Sequence, residues 1–168
     1  AMRGADCLFK MQYSNGGWMQ CLNTPGSYHA HITLNDGAYI HVLQIMKEMS
    51  SKSGDFTAIS DSYAQKAKES LDKGIQCLLD MQISGAAWCQ QHDEYSLKPT
   101  SARAYELPSN CTSESAGVIN FLYQYAKENP SRTDIRKSVN TAIEWFKKVT
   151  LYGIEFVKSG DDKIVRQN

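Results

Sequence analysis

An all-α fold of helical hairpins, forming part of an α/α toroid, is what this sequence predicts, and three observations predict it. First, RGADCLFKMQYSNGGWMQ at residues 3–20 returns as KGIQCLLDMQISGAAWCQ at residues 73–90. Gly4, Cys7, Leu8, Met11, Gln12, Ser14, Trp18 and Gln20 recur as Gly74, Cys77, Leu78, Met81, Gln82, Ser84, Trp88 and Gln90 without a gap. Self-similarity at a fixed period is the mark of a stacked structural unit. Second, apolar residues keep helical spacing along most of the chain, and strand signals are scarce. Third, the connections are lopsided: residues 14–35 and 84–112 are long and aperiodic, whereas those near 50–60 and 128–133 are shorter and polar. Alternate connections of a hairpin array lie on the same rim. Both long loops therefore share one rim, and long ordered loops of this kind are usually functional.

The repeated segments read as helix ends, each stopping at a glycine or small-residue cluster. Between the copies lies a helix that Asn35 or Asp36 can cap, with Ala38, Val42, Ile45, Met46 and Met49 as its apolar stripe. The helix leading into the second copy carries Ala64, Ala67, Leu71, Leu78 and Leu79, with Lys66, Lys68, Glu69 and Asp72 on the wet side. Thr112 or Ser113 can cap a fourth helix bearing Ala116, Ile119, Leu122 and Tyr123, with Glu114 in its first turn. A fifth begins near Thr133-Asp134, with Ile135, Val139, Ala142, Ile143 and Phe146 on one face. The segment GIEFVKSGDDKIVR at the end reads as a hairpin. This amounts to about two and a half hairpin units of roughly seventy residues.

A chain of 168 residues is one domain's worth, read as a single α-helical domain over 1–168. With 18 basic and 18 acidic residues spread through it, no basic stripe exists to neutralise phosphates, so no nucleic-acid partner is expected. No apolar run is long enough to span a bilayer and no signal peptide opens the chain, so no membrane partner is expected either. The five cysteines lack any C-x-x-C pair, and no disulfide framework is predicted.

The rim carries the chemistry-bearing residues Trp18, Asp36, Trp88, His92, Asp93, Arg103 and Tyr105. Asp36 at the mouth of a helix is either its cap, an oxygen ligand for a hard cation or an acceptor for sugar hydroxyls. His92 and Asp93 can hold their loop by hydrogen bonds; His29, His31 and His92 lack the spacing of a zinc site. Arg103 can pin its loop against Glu106 or Asp93, or recognise a carboxylate, with Tyr105 and the two tryptophans as faces for sugar rings. No G-x-S-x-G elbow or phosphate-binding glycine loop appears, which leaves hydrolases with a serine nucleophile and nucleotide enzymes without support.

The helix-ending motif is similar to the Gln-Trp repeats of triterpene cyclases, but their aspartate-rich D-x-D-D motif is missing here. NGGWMQ (15–20), HITLNDGA (31–38), QISGAAWCQQHD (82–93), ARAYELPS (102–109), SESAGV (113–118) and AIEWFKKV (142–149) together resemble the family 10 pectate lyases. The motifs come in the family's order and cover nearly the whole chain. Met19 departs from the family's usual proline, and Asn120 lies near where members often carry a basic residue.

The resemblance implies a calcium-dependent lyase that cleaves polygalacturonate (pectin) by β-elimination, acting as a secreted or cell-surface monomer. It implies Arg103 as the base that takes the C5 proton and Asp36 as a ligand of Ca2+ and of the substrate carboxylate. Asp93, Trp18, Trp88 and Tyr105 are then expected to shape the substrate groove. It also implies that this chain is the central portion of a domain about twice its length, incomplete at both ends. The alternative is a truncated lyase that binds pectin without cleaving it.

Overall fold

In the computed structural model, which describes residues 2–159 and 162–167, five α-helices follow one another in the predicted order. They are α1 (Met2–Met11), α2 (Ala38–Ser50), α3 (Asp61–Met81), α4 (Thr112–Glu128) and α5 (Thr133–Val149). Helix α2 packs along α3 and α4 along α5, and α2 also touches α4. The fold is all-α, a row of helical hairpins. Its core is filled by Leu43, Met46 and Met49 of α2, Leu71, Ile75, Leu78 and Met81 of α3, and Leu122 of α4, each at most 1% exposed. Among the described residues no helix is long and apolar enough to cross a membrane.

The repeated motif proves to be a joint between hairpins. Gln12, just past α1, donates through Nε2 to the carbonyls of Gly16 (3.0 Å) and Ser70 (2.9 Å), and accepts from Ser70 Oγ at 2.6 Å. Gln82, just past α3, does the same with Ala86 (3.0 Å), Ser138 (3.0 Å) and Ser138 Oγ (2.7 Å). One amide thus closes its own turn and ties the helix end to the next helix but one, α1 to α3 and α3 to α5. Behind each joint the indole N–H of the repeated tryptophan donates to the helix it has just left. Trp18 reaches Leu8 O at 3.0 Å and Trp88 reaches Leu78 O at 2.7 Å.

Two glycines are required by close approach. Gly16, at φ +93°, lies against the Lys73 carbonyl, where a Cβ would collide with backbone. A Cβ on Gly74 would stand 2.5 Å from the Trp18 ring. The repeated glycine of the second copy is therefore the seat of the first copy's tryptophan.

The structure corrects two of the expected caps. Helix α2 is preceded by Asp36 (φ 54°) and Gly37 (φ 71°), both left-handed, and no side chain caps it. The half-in residue before α4 is Cys111, again without a side-chain cap, while Thr112 and Ser113 fall inside the helix. The core face of α4 is also rotated from the expected one. Ser115, Val118, Phe121, Leu122, Tyr125 and Ala126 are buried, whereas Ala116 and Tyr123 are exposed. Tyr123 and Ile119 instead line an open apolar groove with Val139, Ile143 and Phe146 of α5.

Two small antiparallel sheets complete the fold. The predicted terminal hairpin forms, with β3 (Ile154–Ser159) paired to β4 (Asp162–Gln167) from Ile154 opposite Gln167 to Ser159 opposite Asp162; its turn lies outside the described residues. The other sheet, β1 (Ile32–Thr33) with β2 (Gln91–His92), was not expected and joins the two long loops.

Candidate functional site

The two-residue strands β1 and β2 pair Ile32 with His92 and Thr33 with Gln91, so the loop after α1 and the loop after α3 form one surface. Leu34 and Asn35 add backbone N–H bonds to the Gln90 carbonyl at 2.8 and 3.2 Å, and Asn15 Nδ2 donates to Glu94 O at 2.8 Å. All the predicted site residues lie on these loops, as the hairpin alternation required, but they fall into different environments.

Trp18 and Trp88 are corrected: they do not face a groove. They are 3% and 0% exposed, with their N–H groups already spent on helix carbonyls. A large apolar ring with one satisfied donor gains most by leaving water, and here it wedges between helices.

His92 and Asp93 are loop holders. His92 is fully buried, accepts from Cys89 N–H at Nε2 (3.2 Å) and so donates from Nδ1 to Leu97 O (2.8 Å). Burial pushes its pKa down, keeping it neutral. Asp93 Oδ1 accepts from the N–H groups of Tyr95 and Ser96 and from Ser96 Oγ, at 3.2, 2.7 and 2.7 Å. The bonds from Ser96 lead in holding its pKa below the usual carboxylate value.

Beside them His31 Nδ1 meets Glu94 Oε2 at 2.7 Å. His31, Asp93 and Glu94 bring one ligand atom each within 4.8 Å of one another, a possible acidic metal site. Sequence spacing did not reveal it, because His31 and Glu94 stand 63 residues apart. The His29, His31, His92 set does not assemble, since His92 has both nitrogens engaged and His29 pairs with Gln20.

Asp36 is exposed, in a left-handed conformation at the entrance to α2, with no capping bond. Freed from the role that would have explained it structurally, its carboxylate is available to a hard cation or a polar ligand.

Arg103 sits in the most exposed stretch of the second loop. Its Nε donates to Glu106 Oε2 at 2.7 Å and its Nη2 to Glu106 Oε1 at 2.5 Å, a two-point pair. Its guanidinium lies 5.0 Å from the Tyr105 ring centre, and Tyr105 is 74% exposed. The side-chain bonds with Arg103 bring the Glu106 pKa down to about 2, and the same bonds raise that of Arg103 above arginine's already high range. The loop thus brings Arg103 and Tyr105 together. No hydrogen bond or ion pair joins Asp36 or Asp93 to Arg103 among the described residues.

The helical hairpins form part of an α/α toroid, with carboxylates, a guanidinium and an open tyrosine on one polar rim. The sequence model of the family described as pectic acid lyase matches residues 1–167, and the chain belongs to that family. Two solved structures resemble it, both of a family 10 polysaccharide lyase from Cellvibrio cellulosa. One, an aspartate-to-alanine variant in complex with trigalacturonic acid, is 31% identical at a TM-score of 0.84, covering 92% of this chain and 50% of that one. The other is 29% identical at a TM-score of 0.83, covering 96% and 54%. The chain thus spans about half the length of these relatives. No curated protein matches it.

Proposed function

We propose that this rim is a pectate lyase site, which cleaves polygalacturonate by β-elimination with calcium bound. The observation that carries the reading is the Arg103–Glu106–Tyr105 arrangement on an exposed loop, in a chain of the pectic acid lyase family. The related lyase solved with trigalacturonic acid supports the substrate class.

In β-elimination a base takes the C5 proton of a galacturonate, the electron pair forms the C4–C5 double bond, and the O4 leaving group departs. Arg103 is assigned as the base. Asp36 fits a hard cation by its exposed carboxylate, which caps no helix, and is assigned to hold calcium and orient the C6 carboxylate. Calcium bound there would neutralise charge as it develops on that carboxylate. Tyr105 offers an exposed ring for a sugar face. The His31–Glu94 pair and Asp93 are assigned to hold the rim loops, since Glu94 Oε2 and Asp93 Oδ1 already have partners. A polymer too large to enter a cell calls for an extracellular enzyme.

Glu106 keeps Arg103 protonated in the resting site, so the neutral fraction is small at any working pH. The rate should therefore climb from pH 7 to 10 without a plateau, by up to about tenfold per unit. Absorbance of unsaturated ends on polygalacturonate, with calcium and then with chelator, tests the reading. Growth that needs calcium and steepens with pH is expected; a rate falling steadily from pH 7 to 10 in folded protein would sink the base assignment. Because the chain spans half of its relatives, the second reading is a pectin-binding module, marked by affinity for the polymer with no unsaturated product.

A further inference from the structure

Between Ser101 and Asn110 one residue is buried, and it is a carboxylate: Glu106, 8% exposed, among exposed Arg103, Tyr105 and Leu107. A lone ion pair at a surface contributes little stability, so an acidic side chain sunk beneath an exposed loop calls for another explanation. Its bonds supply one. Besides the two to the guanidinium, Oε2 accepts from the Arg103 backbone N–H at 3.1 Å. The Glu106 N–H donates back to Arg103 O at 2.8 Å, and Ala102 N–H donates to Glu106 O at 3.2 Å. All five of these bonds involve Glu106, and four of them join it to Arg103.

We propose that Glu106 is the positioning residue of the site, holding the Nε–Nη2 edge of Arg103 so that the Nη1 edge is the face offered to substrate. The inference rests on the lyase reading only for what Nη1 then meets, a galacturonate unit. A free arginine side chain samples many rotamers, and misplacing a reacting group by about an ångström can cost roughly a hundredfold in rate. Two parallel N–H···O bonds in fork geometry remove that freedom. Glu106 touches no substrate in this scheme; it acts through Arg103.

Glu106→Gln separates positioning from folding. Glutamine keeps one acceptor oxygen for the Arg103 backbone N–H, and the backbone bonds of the turn are untouched. It cannot serve both guanidinium nitrogens, because one of its arms donates. The first measurement is proton exchange at the arginine Nε–H groups of the ¹⁵N-labelled chain at pH 7, with the Arg103 signal identified by its loss in Arg103→Lys. Exchange at Arg103 at least about tenfold slower than at Arg136, with that protection lost in Glu106→Gln while the chain is still fully folded at the temperature of measurement, is expected. The second measurement is turnover. Glu106→Gln frees the Arg103 proton but loses the alignment, and the loss should dominate: kcat falls at least about thirtyfold while KM moves less than about threefold. Fast exchange at Arg103 in the parent chain, protection that survives Glu106→Gln, or a loss confined to KM would overturn the proposal. Slow exchange in a chain that makes no unsaturated product would leave the positioning intact and defeat the lyase reading instead.

Discussion

The two copies of the repeated motif begin alike and end differently. Up to the tryptophan they make the same bonds: Gln12 and Gln82 clasp Ser70 and Ser138, and Trp18 and Trp88 seal Leu8 and Leu78. Past it, the first loop runs to a left-handed Asp36, while the second builds Asp93, Glu94 and the Arg103–Glu106 turn. Repeated residues hold hairpins together, and unrepeated residues carry charge to the rim. A stacked array needs the same joint at every step, but a site needs to be built only once.

Substitutions can break that division or sharpen it. The largest effect is expected at an unrepeated residue. Arg103→Ala should lower kcat/KM on polygalacturonate by about a thousandfold or more per folded molecule, with only a modest fall in melting temperature from the unpaired Glu106. Next come the repeated rings. Trp88→Ala should destabilise by about 3–5 kcal/mol in denaturant titration, and Trp18→Ala by somewhat less, since Trp88 is the more deeply buried. Equal and negligible losses would show that the rings are not wedges.

Smaller again is the clasp. Gln82→Ala removes two donated bonds and one accepted, leaving Ser138 without its partner, for about 1–3 kcal/mol. Gln12→Ala should match it, because its bonds are the same; a large inequality would break the equivalence of the copies.

The smallest effect is a pH dependence of stability. The Glu106 carboxyl falls from the ordinary 4.5 to about 2 on folding. Its depressed pKa means that the paired carboxylate adds stability above pH 4.5 and loses it as pH falls toward 2. The melting-temperature gap between the parent and Glu106→Gln should therefore close over that window, and a gap that widens on acidification would reverse the assignment.

Much of this architecture was legible in the sequence because a repeat states its own period. Helix order, the terminal hairpin and the shared rim of the long loops all followed from apolar spacing and connection length. Other features depended on tertiary context. An indole suits a sugar face or a helix seam equally well, and only the Gly74 seat shows which use Trp18 serves. Asp36 looked like a cap, but the left-handed turn through Gly37 moved α2's start past its reach. Strands of two residues are too short to leave an alternation, so β1 and β2 could not be anticipated. Without them the His31–Glu94 contact had no visible basis. The Arg103–Glu106 pair was one of two partners expected for Arg103, since its members stand three positions apart in one loop.

The division between joint and site meets its most direct test in unsaturated-end formation per folded molecule, compared between Gln82→Ala and Arg103→Lys. Lysine keeps the charge but not the fork, so Arg103→Lys should be nearly inactive at a full folded fraction. Gln82→Ala, assayed below its lowered melting point, should retain kcat/KM within about threefold, because the clasp lies in the joint and not in the site. An active Arg103→Lys, or a folded Gln82→Ala that has lost turnover, would contradict the account.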